Sequence, residues 1–240
     1  MSINQQVGSK SYNMGLKVSY GPNIVTDSIV LTIDAGNRNS YIGSGTNWND
    51  LSGNASNGTL TNGPTFNSSN IGSIVFDGVD DYVIGTNVVI SSQATLLVWF
   101  KMSTAQTNKY LLSLPSNSAG ANGFDIYLTT GAVGSYCITN PSNVGNVGYS
   151  VGYSDGLWHM VAVSYNGSAL TMYWDGVQVN TSSLSGTIKQ TGNGEYNVCR
   201  FGSFGLYTNA NVSYVNVYNR GLTSSEVYQN YYAIKSRYGY

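Results

Sequence analysis

Three carboxylates fall within five residues at Asp77, Asp80 and Asp81, inside the string Phe76-Asp77-Gly78-Val79-Asp80-Asp81-Tyr82. Oxygen ligands clustered on a turn are what a hard cation takes, so Asp77 and Asp80 are the candidate ligands for calcium. The competing reading is structural: Asp77-Gly78 makes a turn whose carboxylate accepts backbone amides. Alternation along an extended chain would send Asp80 and Asp81 to opposite sides, which argues against one ion held by all three. His159, the one histidine, follows Trp158 at the head of an apolar run and reads as a packing residue. Hydrolysis of a glycosidic bond needs two facing carboxyl groups. The glutamates are Glu195, alone in a Gly- and Asn-rich turn, and Glu226, expected to cap a helix. No paired acidic motif is present, and no enzymatic activity is expected. Aromatic faces also pair with the apolar faces of sugars. Trp99 and Trp158 lie inside strand-like runs, which leaves Trp48, Trp174, Tyr149 and Tyr153 as the exposed candidates for glycan stacking.

The elements that must hold these residues are read from punctuation. Across 240 residues, 29 Gly and many Asn, Ser and Thr split the apolar residues into short runs, the pattern of an all-β chain. Strands are expected at Ile29 to Ile33, Ser73 to Phe76, Tyr82 to Ile84, Ala94 to Met102, Lys109 to Leu114, Gly123 to Leu128, Ser135 to Thr139, Trp158 to Tyr165, Leu170 to Trp174, Val177 to Asn180, Tyr196 to Phe201 and Val212 to Tyr218. Between the first two lies a loop of more than thirty residues anchored by Trp48 and Leu51. Asp175-Gly176 and Asn166-Gly167 read as tight hairpin turns. Thr223-Ser224-Ser225-Glu226 is a capping box, and Val227, Tyr231 and Ile234 follow at helical spacing. Cys137 and Cys199 stand in apolar settings and read as buried thiols.

Charged residues make up 9% of the chain and the formal net charge is −1. Nothing in that balance favours nucleic acid or an anionic membrane as partner. No run approaches the length of a membrane helix, and Met1 to Lys10 lack the apolar core of a secretory signal. Residues 1–26 read as an extended, polar N-terminal arm, expected to lie on a partner subunit or neighbouring copy. Residues 27–222 form the sandwich, and residues 223–240 the C-terminal helix and tail packed on it.

Three strings in this order resemble the laminin G-like jelly-roll family, which also covers the concanavalin A-like lectins and glucanases. They are Ile74 to Val83 (IVFDGVDDYV), Asp155 to Gly167 (DGLWHMVAVSYNG) with Leu170 to Gly176 (LTMYWDG), and Val215 to Val227 (VNVYNRGLTSSEV). The resemblance implies two antiparallel sheets packed face to face, with first and last strands adjacent. Asp34 to Asn37 (DAGN), Trp48 to Asn54 (WNDLSGN), Gly58 to Phe66 (GTLTNGPTF) and Lys235 to Gly239 (KSRYG) are similar to versions of this domain in virion proteins of tailed bacteriophages. That narrower likeness implies a non-enzymatic virion surface protein, a capsid decoration or accessory protein assembled in the host cytoplasm. Its arm would contact other virion proteins, in a homo-oligomer or larger assembly, and no cofactor would be required beyond the calcium considered above. A glycan-binding adhesin of a tail or fibre, contacting cell-surface glycans, is the alternative reading; a glycoside hydrolase is the third.

Overall fold

A computed structural model describes residues 22–116, 123–140, 142–190, 193–202 and 204–240. Seventeen strands run along it: β1 (Ile29–Asp34), β2 (Asn47–Trp48), β3 (Gly58–Thr61), β4 (Thr65–Asn67), β5 (Ser73–Asp77), β6 (Tyr82–Gly85), β7 (Ala94–Lys101), β8 (Lys109–Leu114) and β9 (Phe124–Thr129) in the first half. The second half adds β10 (Ala132–Asn140), β11 (Asn143–Ser150), β12 (Trp158–Tyr165), β13 (Ala169–Trp174), β14 (Val177–Ser183), β15 (Thr187–Ile188), β16 (Tyr196–Val198) and β17 (Asn209–Tyr218), followed by helix α1 (Ser224–Ile234). They form two antiparallel sheets. One has eight strands, ordered β14-β13-β12-β7-β17-β5-β4, with β1 also on β17; the other has nine, ordered β11-β10-β9-β8-β16-β6-β3-β2, with β15 on β10. The expected jelly-roll sandwich is therefore present, and its first and last strands are neighbours, with Leu31 opposite Val217.

The main core fills the space between the sheets, from Leu31, Ile74 and Val98 on one side to Leu112, Ile126 and Val133 on the other. A second apolar layer lies on the outer face of the eight-stranded sheet. Leu97, Trp99, Trp158, Met160 and Tyr218 are covered there by Val227 and Ile234 of α1, by Tyr238 and by Val25. Helix α1 starts as its sequence demands: Thr223 accepts from the Glu226 amide, and Glu226 Oε2 accepts from the Thr223 amide at 2.9 Å. Val25 is pinned to this layer through the Asn230 carboxamide at 2.7 Å and the Tyr218 hydroxyl at 2.9 Å. Most of the arm expected over residues 1–26 lies outside the described residues; its end, residues 22–26, runs beside α1.

Four departures from the sequence reading have local causes. The long loop after β1 carries three short strands, β2 to β4, which Gly, Asn and Thr conceal from a search for apolar alternation. β11, NVGNVGYS, is a full edge strand for the same reason. The strand expected to reach Phe201 stops at Val198, because Cys199 takes a left-handed backbone with φ of 59°. Asp175 and Gly176 have φ of 48° and 81°, as a type I′ turn requires, but only Gly167 of the second pair is left-handed. There Asn166 instead closes a longer turn by accepting from the Ser168 and Ala169 amides at 3.0 and 2.9 Å.

Candidate functional site

The outer face of the nine-stranded sheet carries no helix among the described residues, and it is where unexplained polar and aromatic groups gather. On β9, Phe124, Ile126 and Leu128 enter the main core, so alternation turns Asp125 and Tyr127 outward. Register carries a polar row across the strands: Asn197 faces Ser113, Ser113 faces Asp125, Asp125 faces Tyr136, and Tyr136 faces Asn146. Beside it runs a row of rings. Phe204 stacks on Phe201 at 5.3 Å, Phe201 on Tyr110 at 4.3 Å, Tyr110 tilts against Tyr127 at 6.1 Å, and Tyr127 stacks on Tyr136 at 4.7 Å. Gly134 makes this possible, since a Cβ there would come within 2.3 Å of the Tyr127 ring. The loop after β16 is closed by Thr208 N–H to Cys199 O at 3.0 Å. It lays Phe201 on Tyr110 and the Arg200 guanidinium 3.9 Å over Tyr82, which itself packs against Tyr207.

Beneath the rings Asp125 is fully buried. One of its oxygens accepts from the Tyr136 amide at 3.2 Å, and Oδ2 has no partner. Burial pushes its carboxyl up to about 8, against which the single backbone hydrogen bond pulls only weakly. The Asn197 side-chain oxygen is likewise buried and unpartnered. The sequence pointed to neither; a lone acid in an alternating strand was the available signal.

Three of the four predicted glycan-stacking residues, Trp48, Tyr153 and Trp174, are corrected by their burial. Trp48 is 0% exposed, because β2 turns it into the main core, and Tyr153 is 1% exposed, its hydroxyl tied to Gln106 O and Thr129 O at 2.8 and 2.9 Å. Trp174 is also buried, held between Phe100 and His159. Tyr149 is half-buried and packs on the core. None of the four belongs to the outer ring row.

The acidic turn differs from expectation in the opposite sense. Asp77, Asp80 and Asp81 each bring a carboxylate oxygen within 4.8 Å of the others. Alternation does not apply, because residues 78–80 form a bend between β5 and β6, with Gly78 at φ 78°. Asp81 Oδ2 accepts from the Asp77 amide at 3.1 Å and Asp77 Oδ1 from the Val79 amide at 2.8 Å, so two of the carboxylates also cap the turn. Burial, with Asp77 and Asp80 beside it, raises the Asp81 carboxyl above the usual carboxylate range. The all-oxygen set is of the kind that suits calcium, with Asp77, Asp80 and Asp81 as the residues that would hold it.

His159 packs on Trp174 with centroids 4.6 Å apart, and it is also clamped, Nδ1 to Asp175 at 2.8 Å and Nε2 to Asp155 at 3.2 Å. Burial lowers its pKa, but the two carboxylates outweigh that and the net shift is upward. The clamp fastens the turn before β12 to the β13–β14 hairpin and contacts no nucleophile. Glu226 caps α1 as expected and pairs with Arg220 at 2.7 Å, which, with the cap, holds its carboxyl at about 2. Cys137 and Cys199 are free and buried.

Comparison with solved structures agrees with this architecture. The binding domain of Paraclostridial Mosquitocidal Protein 1 superposes with a TM-score of 0.68 at 16% identity, over 86% of this chain and 52% of that one. The ligand-binding domain of botulinum neurotoxin serotype D, solved with N-acetylneuraminic acid, gives 0.69 at 11% identity, over 86% and 51%. The receptor-binding domain of the botulinum neurotoxin C/D mosaic serotype gives 0.68 at 11% identity, over 86% and 51%. The chain thus spans about half the length of these domains, and at such identities the likeness establishes the fold alone. No curated protein matches it in sequence. A family model does, over residues 77–228, from the acidic turn through the ring face and into α1. By that match, and by the two-sheet fold, the chain belongs to the concanavalin A-like lectin/glucanases superfamily.

Proposed function

We propose that the chain is a non-enzymatic attachment module that binds carbohydrate through the outer face of its nine-stranded sheet, and that it is displayed on the particle of a tailed bacteriophage. The carrying observation is the polarity of the sandwich. One outer face is closed by α1 and by residues 22–26, while the opposite face presents Tyr127, Tyr136, Phe204 and Tyr82 above buried polar groups. A chain leaving from the helix side and anchored to a partner would turn the ring face outward. Half-open rings with amide groups nearby suit the apolar faces and hydroxyls of sugars. Hydrolysis receives no support: Asp125 is buried, Glu226 is committed to Arg220 and the helix cap, and no facing carboxyl pair stands on the ring face among the described residues. Calcium on Asp77, Asp80 and Asp81 belongs to this reading as a brace for the β5–β6 bend that leads into Tyr82.

The test is a glycan array run with and without calcium, comparing the unaltered chain with Tyr127→Ala. Binding that the substitution lowers tenfold or more is expected. An array without signal in either condition refutes carbohydrate binding. The display reading is tested separately by antibody labelling of purified phage particles, where surface label is expected and its absence removes the virion role.

A further inference from the structure

We infer that the polar row beneath the rings holds one alkali-metal cation, ligated by Asp125 Oδ2, Ser113 Oγ and Asn197 Oδ1. Each of these residues stands on the outer side of the nine-stranded sheet, because its neighbours along the strand enter the main core. Tyr196 and Val198 do so beside Asn197, Leu112 and Leu114 beside Ser113, and Phe124 and Ile126 beside Asp125. Register then sets Asn197 opposite Ser113, and Ser113 opposite Asp125. Asn197 and Asp125 thus flank Ser113 at one strand spacing, about 4.8 Å, to either side. An ion seated over Ser113 is within reach of all three side chains.

All three residues are sealed from solvent, and Asp125 Oδ2 and Asn197 Oδ1 have no partner. The rest of each side chain is committed. Asp125 Oδ1 accepts from the Tyr136 amide, the Asn197 carboxamide donates to Glu195 Oε1 at 3.0 Å, and the Ser113 hydroxyl donates to Arg200 O at 3.1 Å. With Asp125 ionised, what remains in the row is oxygen lone pairs alone, the ligand set of a hard cation. A buried carboxylate also needs a counter-charge. Among the described residues no Lys, Arg or His pairs with Asp125, and the Arg200 guanidinium is turned over Tyr82. The titratable groups facing it, Tyr110, Tyr127, Tyr136 and Cys137, carry no positive charge in any protonation state. One carboxylate among the ligands matches a single positive charge, whereas a divalent ion would leave a net charge buried. The ion's competitor is the proton, which burial keeps on Asp125 up to about 8.

Urea unfolding of the full chain tests this at about pH 9.5, with EDTA throughout, in matched concentrations of lithium, sodium, potassium, rubidium and tetramethylammonium chloride. One alkali ion is expected to raise the midpoint above the tetramethylammonium value, the unfolding equilibrium constant falling up to about tenfold for each tenfold rise in that ion. Ionic screening depends on charge and concentration, so a preference for one ion size marks a site. At about pH 6 the proton competes, and about a hundredfold more of the ion is expected for the same effect. Asp125→Asn is expected to abolish the preference. Ser113→Ala, a smaller change that removes one ligand, is expected to lower the ion's affinity and serves in its place should Asp125→Asn fail to fold. Equal midpoints in all five chlorides at about pH 9.5 overturn the site and leave Asp125 held by its proton alone. A preference that survives Asp125→Asn, or Ser113→Ala in its place, unchanged puts the ion elsewhere and overturns the site as well.

Discussion

At the scale of single residues, Asp125 is the group that most clearly departs from ordinary behaviour. An aspartate carboxyl in an unfolded chain titrates near about 3.9, whereas burial under Tyr127 and Tyr136 holds this one at about 8. The folded state therefore keeps a proton that the unfolded state releases. The contribution of Asp125 to stability is therefore fully present below about pH 4, falls as pH rises from there, and levels off once Asp125 ionises near 8. The full span is worth up to ~5 kcal/mol. Urea midpoints measured from mildly acidic to alkaline pH should show this loss in the unaltered protein, and Asp125→Asn should flatten it. A variant with an unchanged slope would mean that Asp125 is ionised in the fold. Carboxylates alternating with apolar residues are visible in a sequence, but only the packing of rings contributed by β8, β9 and β10 reveals which one is dry. The same holds for Trp48 and Tyr153, whose aromatic character was legible and whose burial was not.

At the scale of elements, the first strand and the turn that follows the helix are fastened to each other by a side-chain pair. Arg237, in the 3-10 turn that continues α1, meets Asp34 at the end of β1 through two contacts of 2.8 Å. Asp34 also accepts from the Gly36 amide at 2.8 Å and is nearly fully buried. Removing one partner strands the other in a low-dielectric site, so Arg237→Ala should cost about 3–5 kcal/mol, read as a drop in the denaturant midpoint. A loss below about 1 kcal/mol would place the pair with ordinary surface ion pairs. The capping box at Thr223, the Asp175-Gly176 turn and most of the strands were legible in advance, because each depends on residues close in sequence. β11 and the short strands β2 to β4 were not, since their pairing is stabilised by neighbours distant in the chain and not by apolar alternation of their own.

At the scale of the whole molecule, three layers account for how the sandwich presents itself. The helix layer covers Leu97, Trp99, Trp158 and Met160, with Tyr231 stacked on Trp99 at 5.5 Å and Tyr238 packed on both Trp99 and Trp158 at 4.6 Å. Deleting residues 223–240 would bare this aromatic patch, and such patches drive association. The truncated chain should aggregate or bind a hydrophobic dye on size-exclusion analysis, and a monomeric product of unchanged thermal midpoint would contradict the layer's role. The sequence by itself determined the class of fold, the position of most strands, the capped helix and the lack of a paired acidic motif, because periodicity, turn chemistry and capping act over a few residues. Tertiary structure decided which aromatic residues are open, which acid is buried, that three aspartates converge on one bend, and that, among the described residues, a helix seals one face of the sandwich and none covers the other. Those outcomes follow from which strands become neighbours, and strand order is fixed by contacts between residues far apart along the chain.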